Sequence, residues 1–179
     1  ASRRAQDELG SVKLYQVFWG RFITFACLSF VQSSILALGN MLFLQVQVAN
    51  PFLYMLCYWV SGLVFTFIIY TLVVSFANLG KALAVFLLII QVSAGGGSYP
   101  LPMLPDFVQA ISPFLPLTHA INALRAAMMG LYQMDFWIEL ATLLAFVVPF
   151  LLLGLVLRKP LIKLLNWYVR KTEESKLVN

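Results

Sequence analysis

FITFACLSFVQSSILALGNMLFLQVQVANPFLYMLCYWVSGLVFTFIIYTLVVSFANLG, residues Phe22–Gly80, contains no Asp, Glu, Lys or Arg. A soluble fold cannot hide so long an uncharged stretch, whereas a bilayer core asks for roughly 20 apolar residues per helical crossing. The whole chain agrees: 61% of its residues are hydrophobic and 11% charged. A soluble domain has about 45–50% and about 25%. The composition describes an all-α integral membrane protein.

Asn50-Pro51 divides the uncharged stretch, because proline ends one helix and starts another. The first crossing is expected from Phe22 to about Val46 and the second from Phe52 to Phe76. A polar turn, Asn78-Leu79-Gly80-Lys81, precedes the third, whose apolar part (Ala82–Ala94) is short. It spans only if its helix starts near Asn78 and runs into the glycines that follow. Phe136–Leu157 reads as the last crossing. Residues 22–94 thus hold three crossings and residues 136–157 a fourth.

Between them, residues 95–135 carry GGGSYPLPMLPDF, three consecutive glycines followed by three prolines. This is neither a regular helix nor a spanning strand. Two short helices are expected after it, one capped by Asp106 and running through Ile111, the second capped by Thr118. The second would bury Ala120, Ile121, Leu124, Met128 and Leu131 and gather His119, Asn122 and Arg125 on another face. Apolar helices too short to cross, broken by prolines, read as an outer re-entrant hairpin.

Charge sets the orientation. Of the twelve Lys and Arg residues, every one except Arg125 falls on one side when both ends of the segment are cytoplasmic. Residues 1–21 read as a cytoplasmic amphipathic elbow and residues 158–179 as a basic cytoplasmic tail along the inner leaflet. The basic residues cap apolar runs, a membrane-interface pattern and not a nucleic-acid groove. One His and two Cys do not make a zinc site of the usual kind, and no cofactor is expected. Cys27 and Cys57, near the starts of antiparallel runs, are too far apart for a disulfide and read as small buried hydrophobes. There is no Walker-type loop, HExxH or GxSxG, so no enzymatic activity is expected. The polar start at Ala1 reads as the C-terminal part of a longer chain.

Several polar residues stand out in this apolar setting. Gln32, Ser34 and Thr66 either line a substrate path or hydrogen-bond neighbouring helices. Thr71, Ser75, Gln91 and Ser93 carry the same two readings. Arg125 either acts at membrane depth or snorkels and pairs with Asp106, Asp135 or Glu139. His119 is a titrating group or an interfacial hydrogen-bonder. Glu139 pairs with Arg125 or is solvated. Gly95, Gly96 and Gly97 read as a flexible outer gate, since irregular backbone at membrane depth persists only where protein or a cavity covers it.

The stretch LGKALAVFLLIIQVSAGGGSYPLPMLPDFVQAISPFLPLTHAINALRAAMMG, Leu79–Gly130, resembles the C-terminal membrane region of the YhgE/Pip family. That family is named for a phage infection protein and is related to the type-2 permeases of ABC exporters. The resemblance rests on Gly95-Gly96-Gly97, Pro100, Leu104-Pro105, Phe107, Ser112-Pro113-Phe114-Leu115-Pro116, Thr118, Ala120-Ile121 and Leu124-Arg125. Many family members have Asn where this chain has Ser112. A weaker likeness covers Val12–Phe76. The resemblance implies a type-2 permease fold, with a transmembrane helix, a large extracellular domain and a further helix before Ala1. Ser11–Arg21 resembles a cytoplasmic coupling helix, with Lys13, Gln16 and Arg21 as contact residues. Pro105–Gly130 resembles paired outer re-entrant helices, placing Pro105, His119 and Arg125 with the glycines at a gate. The implied partners are membrane lipid, a second copy in a homodimer, and a separate cytoplasmic ATPase. The function it implies is handling of a substrate across the cell membrane. Two rival readings keep the fold only as an anchor: a phage receptor or scaffold, and a type VII secretion accessory of the EsaA kind working with secretion-machinery subunits.

Overall fold

The computed structural model describes residues 14–76, 78–97, 99–130 and 133–154. Among these residues all regular structure is helical. The helices are α1 (Leu14–Leu42), α2 (Pro51–Phe76), α3 (Asn78–Ala94), α4 (Asp106–Ile111), α5 (Pro116–Met129), α6 (Gln133–Ala145) and α7 (Val147–Leu152), with 3-10 turns at Leu101–Met103 and Ser112–Phe114. Three stretches are long and apolar enough to cross a membrane: Gln16–Leu42, Pro51–Phe76 and Met134–Leu152. The shorter α3 starts at the Asn78 turn, as a crossing there requires, and its 17 residues rise about 26 Å.

α1 runs unbroken from Leu14, so residues 14–21 continue the axis of the first crossing without a joint at Arg21. The rest of the expected elbow, Lys13 included, and the basic tail lie outside the described residues. α1 stops at Leu42, short of the expected Val46, and Gln45 turns the chain with a φ of 49°. The last crossing bends at Phe146, between α6 and α7. Pro149 explains this: its ring collides with the carbonyl of Ala145, four residues back, and it offers no N–H.

α2 is the axis of the bundle and touches α1, α3, α5, α6 and α7. Three buried clusters follow one another along it. Tyr54 and Cys57 pack with Ala37, Ala123, Ala127, Phe136 and Leu140. Val64, Ile68 and Leu72 pack with Ala120 and Leu143. Phe67 and Tyr70 close over Phe18, whose carbonyl accepts a 2.7 Å hydrogen bond from the Tyr70 hydroxyl. This last contact pins the start of α1 to the far end of α2.

Small residues set the helix spacing. Ser29, Ser33 and Ala37, one turn apart on α1, are buried against α2. There Gly62 lies so close that a Cβ would collide with the Ser33 hydroxyl. Ala120, Ala123 and Ala127 make the matching stripe on α5. Without a hydrophobic drive between helices in lipid, such stripes matter because they permit close van der Waals contact. Of the face expected on α5, Ala120 is buried and Leu124 and Met128 pack, half-buried, against the Tyr54–Cys57 cluster, while Leu131 lies outside the described residues; Ala123 and Ala127 are added to that face.

α5 runs antiparallel to α2 along its first half only. Its Ala127 and Met128 carbonyls accept hydrogen bonds from the Asn50 and Ala49 N–H groups of the α1–α2 loop, at 3.2 and 3.0 Å. At its other end, Ala120 faces Cys57. Gly130, left-handed at φ 66°, ends the helix and bonds back to Ala126. The expected caps are corrected. Pro105 precedes α4, and Asp106 sits inside its first turn without a side-chain capping bond. Pro116 opens α5, so Thr118 lies within the helix, its hydroxyl paired with that of Ser112.

Both cysteines are free, as their spacing requires. Cys57 is buried, but Cys27 is exposed on the face of α1 turned away from α2, because only one stripe of α1 is covered.

The α1–α2 contact yields a direct test. Gly62→Leu is expected to weaken folding by about 1–3 kcal/mol, the usual cost of overpacking. Gly39→Ala, where a Cβ meets nothing within 4 Å, should leave stability unchanged or raised. Thermal unfolding of the two variants in detergent, beside the parent, reads the difference.

Candidate functional site

The polar residues of the re-entrant segment converge on the α5–α6 pair. The site starts with a corner: Leu115 is extended between the Ser112–Phe114 turn and α5, and its N–H bonds to the Ser112 carbonyl at 3.0 Å. The buried Ser112 and Thr118 hydroxyls, 3.1 Å apart, lock that corner. It brings the Pro113 carbonyl to 2.9 Å from Nε2 of His119. A carbonyl only accepts, so Nε2 carries a proton and donates it.

The other ring nitrogen of His119, Nδ1, lies 2.5 Å from Oε2 of Glu139 on α6. One proton lies between them. Oε1 of the same carboxylate accepts a 3.1 Å bond from the Asn122 amide, one turn along α5. Glu139 therefore holds two α5 residues, and His119 joins α6 to the Pro113 corner. This is the only ion pair among the described residues. The choice between Arg125 and water for Glu139 is resolved in favour of neither: its partners are His119 and Asn122.

Arg125, two turns after His119, reaches across to the glycine break instead. Its Nη2 donates to the Gly96 carbonyl at 2.6 Å. Gly96 is left-handed, at φ 74°, and its neighbours are hemmed in. A Cβ on Gly95 would meet Leu117 at 3.1 Å, and one on Gly97 would meet Ile121 at 2.9 Å. The triplet is thus a packed corner latched by Arg125. Of the residues expected at a gate, the structure brings Gly95, Gly96, Gly97, Arg125 and His119 onto or against α5. Pro105 lies apart, at the start of α4, where its carbonyl accepts from Val108 and Gln109.

A second polar place lies between α1 and α2. Gln32 and Thr66 share a cleft of about 350 Å3 with Ser29, Ser33, Tyr58 and Ser61. Ser34 does not belong to it. Its hydroxyl donates to the Phe30 carbonyl and accepts from the Trp59 indole, both at 2.8 Å. Ser34 therefore binds helix to helix. Tyr58, which lines the cleft, is held by the Asn40 amide at 2.6 Å beside Tyr54. That tyrosine pair escaped sequence reasoning, although its four-residue spacing on α2 could have shown it. Thr71 Oγ1, Ser75 Oγ and Gln91 Oε1 are buried with no hydrogen-bond partner among the described residues. Arg21 is exposed on the first part of α1, which also carries Gln16.

Residues 9–156 match the family described as ABC-2 family transporter protein. The chain is also similar to the uncharacterized protein YhgE of Bacillus subtilis (strain 168), with 32% identity over 112 residues, 63% of this chain. It spans 14% of that relative's length. No solved structure matches it.

Glu139→Ala leaves the His119 ring nitrogen and the Asn122 amide without their acceptor. The expected loss is about 1–3 kcal/mol, seen as a lower unfolding temperature in detergent. Glu139→Gln, which keeps an acceptor oxygen for Asn122, should lose less.

Proposed function

Because the chain belongs to the ABC-2 family of transporter proteins, we propose that this permease-like membrane protein forms half of a transport path. A second copy completes the path, and a separate cytoplasmic ATPase drives it. The observation that carries this reading is the cleft where Gln32 and Thr66 meet between α1 and α2. Ser29, Gln32, Ser33, Tyr58, Ser61 and Thr66 bring polar groups into it between the two helices, beside Leu36, Phe65 and Ile69. A simple anchor has no use for such a cleft in lipid, where polar groups mark pathways or hold helices together.

In this reading residues 1–21 and 158–179 are cytoplasmic, in keeping with the Lys and Arg distribution. Residues 22–94 and 136–157 carry the crossings, and residues 95–135 lie on the outer side. The Arg125–Gly96 bond and the His119–Glu139 pair then hold the outer closure. Lys13, Gln16 and Arg21 offer the cytoplasmic contact for the ATPase. What the pair of subunits carries is a substrate that fits a cleft of hydroxyls, one amide and apolar side chains.

The test is purification of the full-length protein from its native membrane in mild detergent, with identification of what accompanies it. A dimer that brings an ATP-hydrolysing subunit, lost in Arg21→Glu at equal membrane levels, is the expected result. A monomer without an ATPase, or one accompanied by secretion-machinery subunits instead, overturns the proposal.

A further inference from the structure

A cavity of about 310 Å3 opens between α5 and α6 on the side away from α2. Arg125 and Asn122 reach it from α5, and Asp135 and Glu139 from α6. Its size is at the lower end of the roughly 300–1,000 Å3 usual for small-ligand sites. Its depth follows from the backbone. α5 ends level with the α1–α2 loop, to which its last carbonyls are bonded. Arg125, five residues before Gly130, sits about 7 Å below that end, and Asn122 about 12 Å below it. Both lie near the end of α5 that meets the α1–α2 loop.

The charges around this cavity are opposite and yet apart. Arg125 and Asp135 both line it, but the His119–Glu139 pair is the only ion pair among the described residues. Arg125 is tethered to the Gly96 carbonyl. Asp135 is fixed in the first turn of α6, where the helix N-terminus favours a carboxylate. No ion pair joins Arg125 to Asp135, so the cavity presents one charge of each sign to a ligand that carries both. We infer that this cavity binds the zwitterionic headgroup of an ethanolamine phospholipid, its phosphate on Arg125 and its ammonium on Asp135 and Glu139.

The chemistry selects among lipids. The guanidinium retains several donors beyond the one given to Gly96, in a fork suited to phosphate. A primary ammonium has three donors for the two carboxylates, whereas a trimethylammonium has none and prefers aromatic faces. Among the described residues no aromatic side chain lines the cavity. A phosphatidylglycerol headgroup brings a negative charge with no cation to offer Asp135. Met129 and Ile138, exposed at the cavity, and Met134 and Trp137 beside it on α6 are the apolar surface an acyl chain needs. This commits the ligand to a membrane lipid and not a soluble phosphate ester.

The experiment offers the full-length protein in detergent an equal mixture of phosphatidylethanolamine, phosphatidylcholine and phosphatidylglycerol, and counts retained lipid by native mass spectrometry. Phosphatidylethanolamine should be retained about tenfold over either rival, the worth of roughly one charge-assisted hydrogen bond. Asp135→Asn is the decisive variant, since Asp135 makes no side-chain bond among the described residues, and should bring the preference to within about twofold. Arg125→Gln should lower retention of all three. Equal retention of the three lipids overturns the inference, as does a preference that Asp135→Asn leaves intact. Displacement of the lipid by soluble phosphoethanolamine alone also overturns it, by assigning the cavity to the soluble molecule. Lipid counting needs no ATPase and no transported substrate, so its failure is separate from failure of the proposed function.

Discussion

In the interior of a bilayer every backbone N–H and C=O must find a partner within the protein, and an orphan costs several kcal/mol. Between Ala94 and Pro116 this chain leaves helical geometry three times. Each departure has an answer. The Gly96 carbonyl is taken by Arg125, the Leu104 carbonyl by the Gln109 amide, and the Ser112 and Pro113 carbonyls by the Leu115 N–H and the His119 ring. The last carbonyls of α5 are taken by the α1–α2 loop. A re-entrant segment is possible here because side chains on α5 supply the donors that water supplies to a surface loop.

That constraint explains why the polar residues cluster on α5. A helix that must lie tight against α2 on one face carries Ala120, Ala123 and Ala127 there. The opposite side is then free for His119, Asn122 and Arg125, which serve the corners around it. Arg125 does both: it satisfies the Gly96 carbonyl and lines the charged cavity, so its removal disturbs the glycine corner and the cavity together.

The long crossings were legible in the sequence because absence of charge from Phe22 to Gly80 has no other physical explanation. The short helices were legible because Pro105, Pro116 and Gly130 punctuate them. The contact faces were not. In a soluble helix the large apolar residues point inward, but on α1 and α5 the inward stripes are small (Ser29, Ser33, Ala37, Ala120, Ala123 and Ala127) and many leucines face outward, so apolar periodicity loses its contrast. Nor could the sequence assign Glu139. The three-residue spacing of His119 and Asn122 puts them on one face, but the register of α6 against α5 decides which carboxylate they meet. Arg125 was singled out with three carboxylates as candidate partners, and its recipient proved to be a backbone carbonyl whose exposure depends on the left-handed turn at Gly96. The bend at Phe146 was present in the sequence as Pro149 within an otherwise continuous run.

α1 is the least enclosed part of the bundle. Beyond Phe18 and the stripe of Ser29, Ser33 and Ala37, most of its large apolar residues from Ile23 to Leu42 are exposed, a surface lipid accepts without cost. Gln32 is the exception on that surface. It is exposed near the middle of the crossing, and its amide makes no hydrogen bond among the described residues. An amide facing hydrocarbon is unfavourable by an amount comparable to a lost hydrogen bond, which a bundle of this size does not retain without compensation. The proposed dimer would offer Gln32 either water in the path or a group on the second copy as its missing partner.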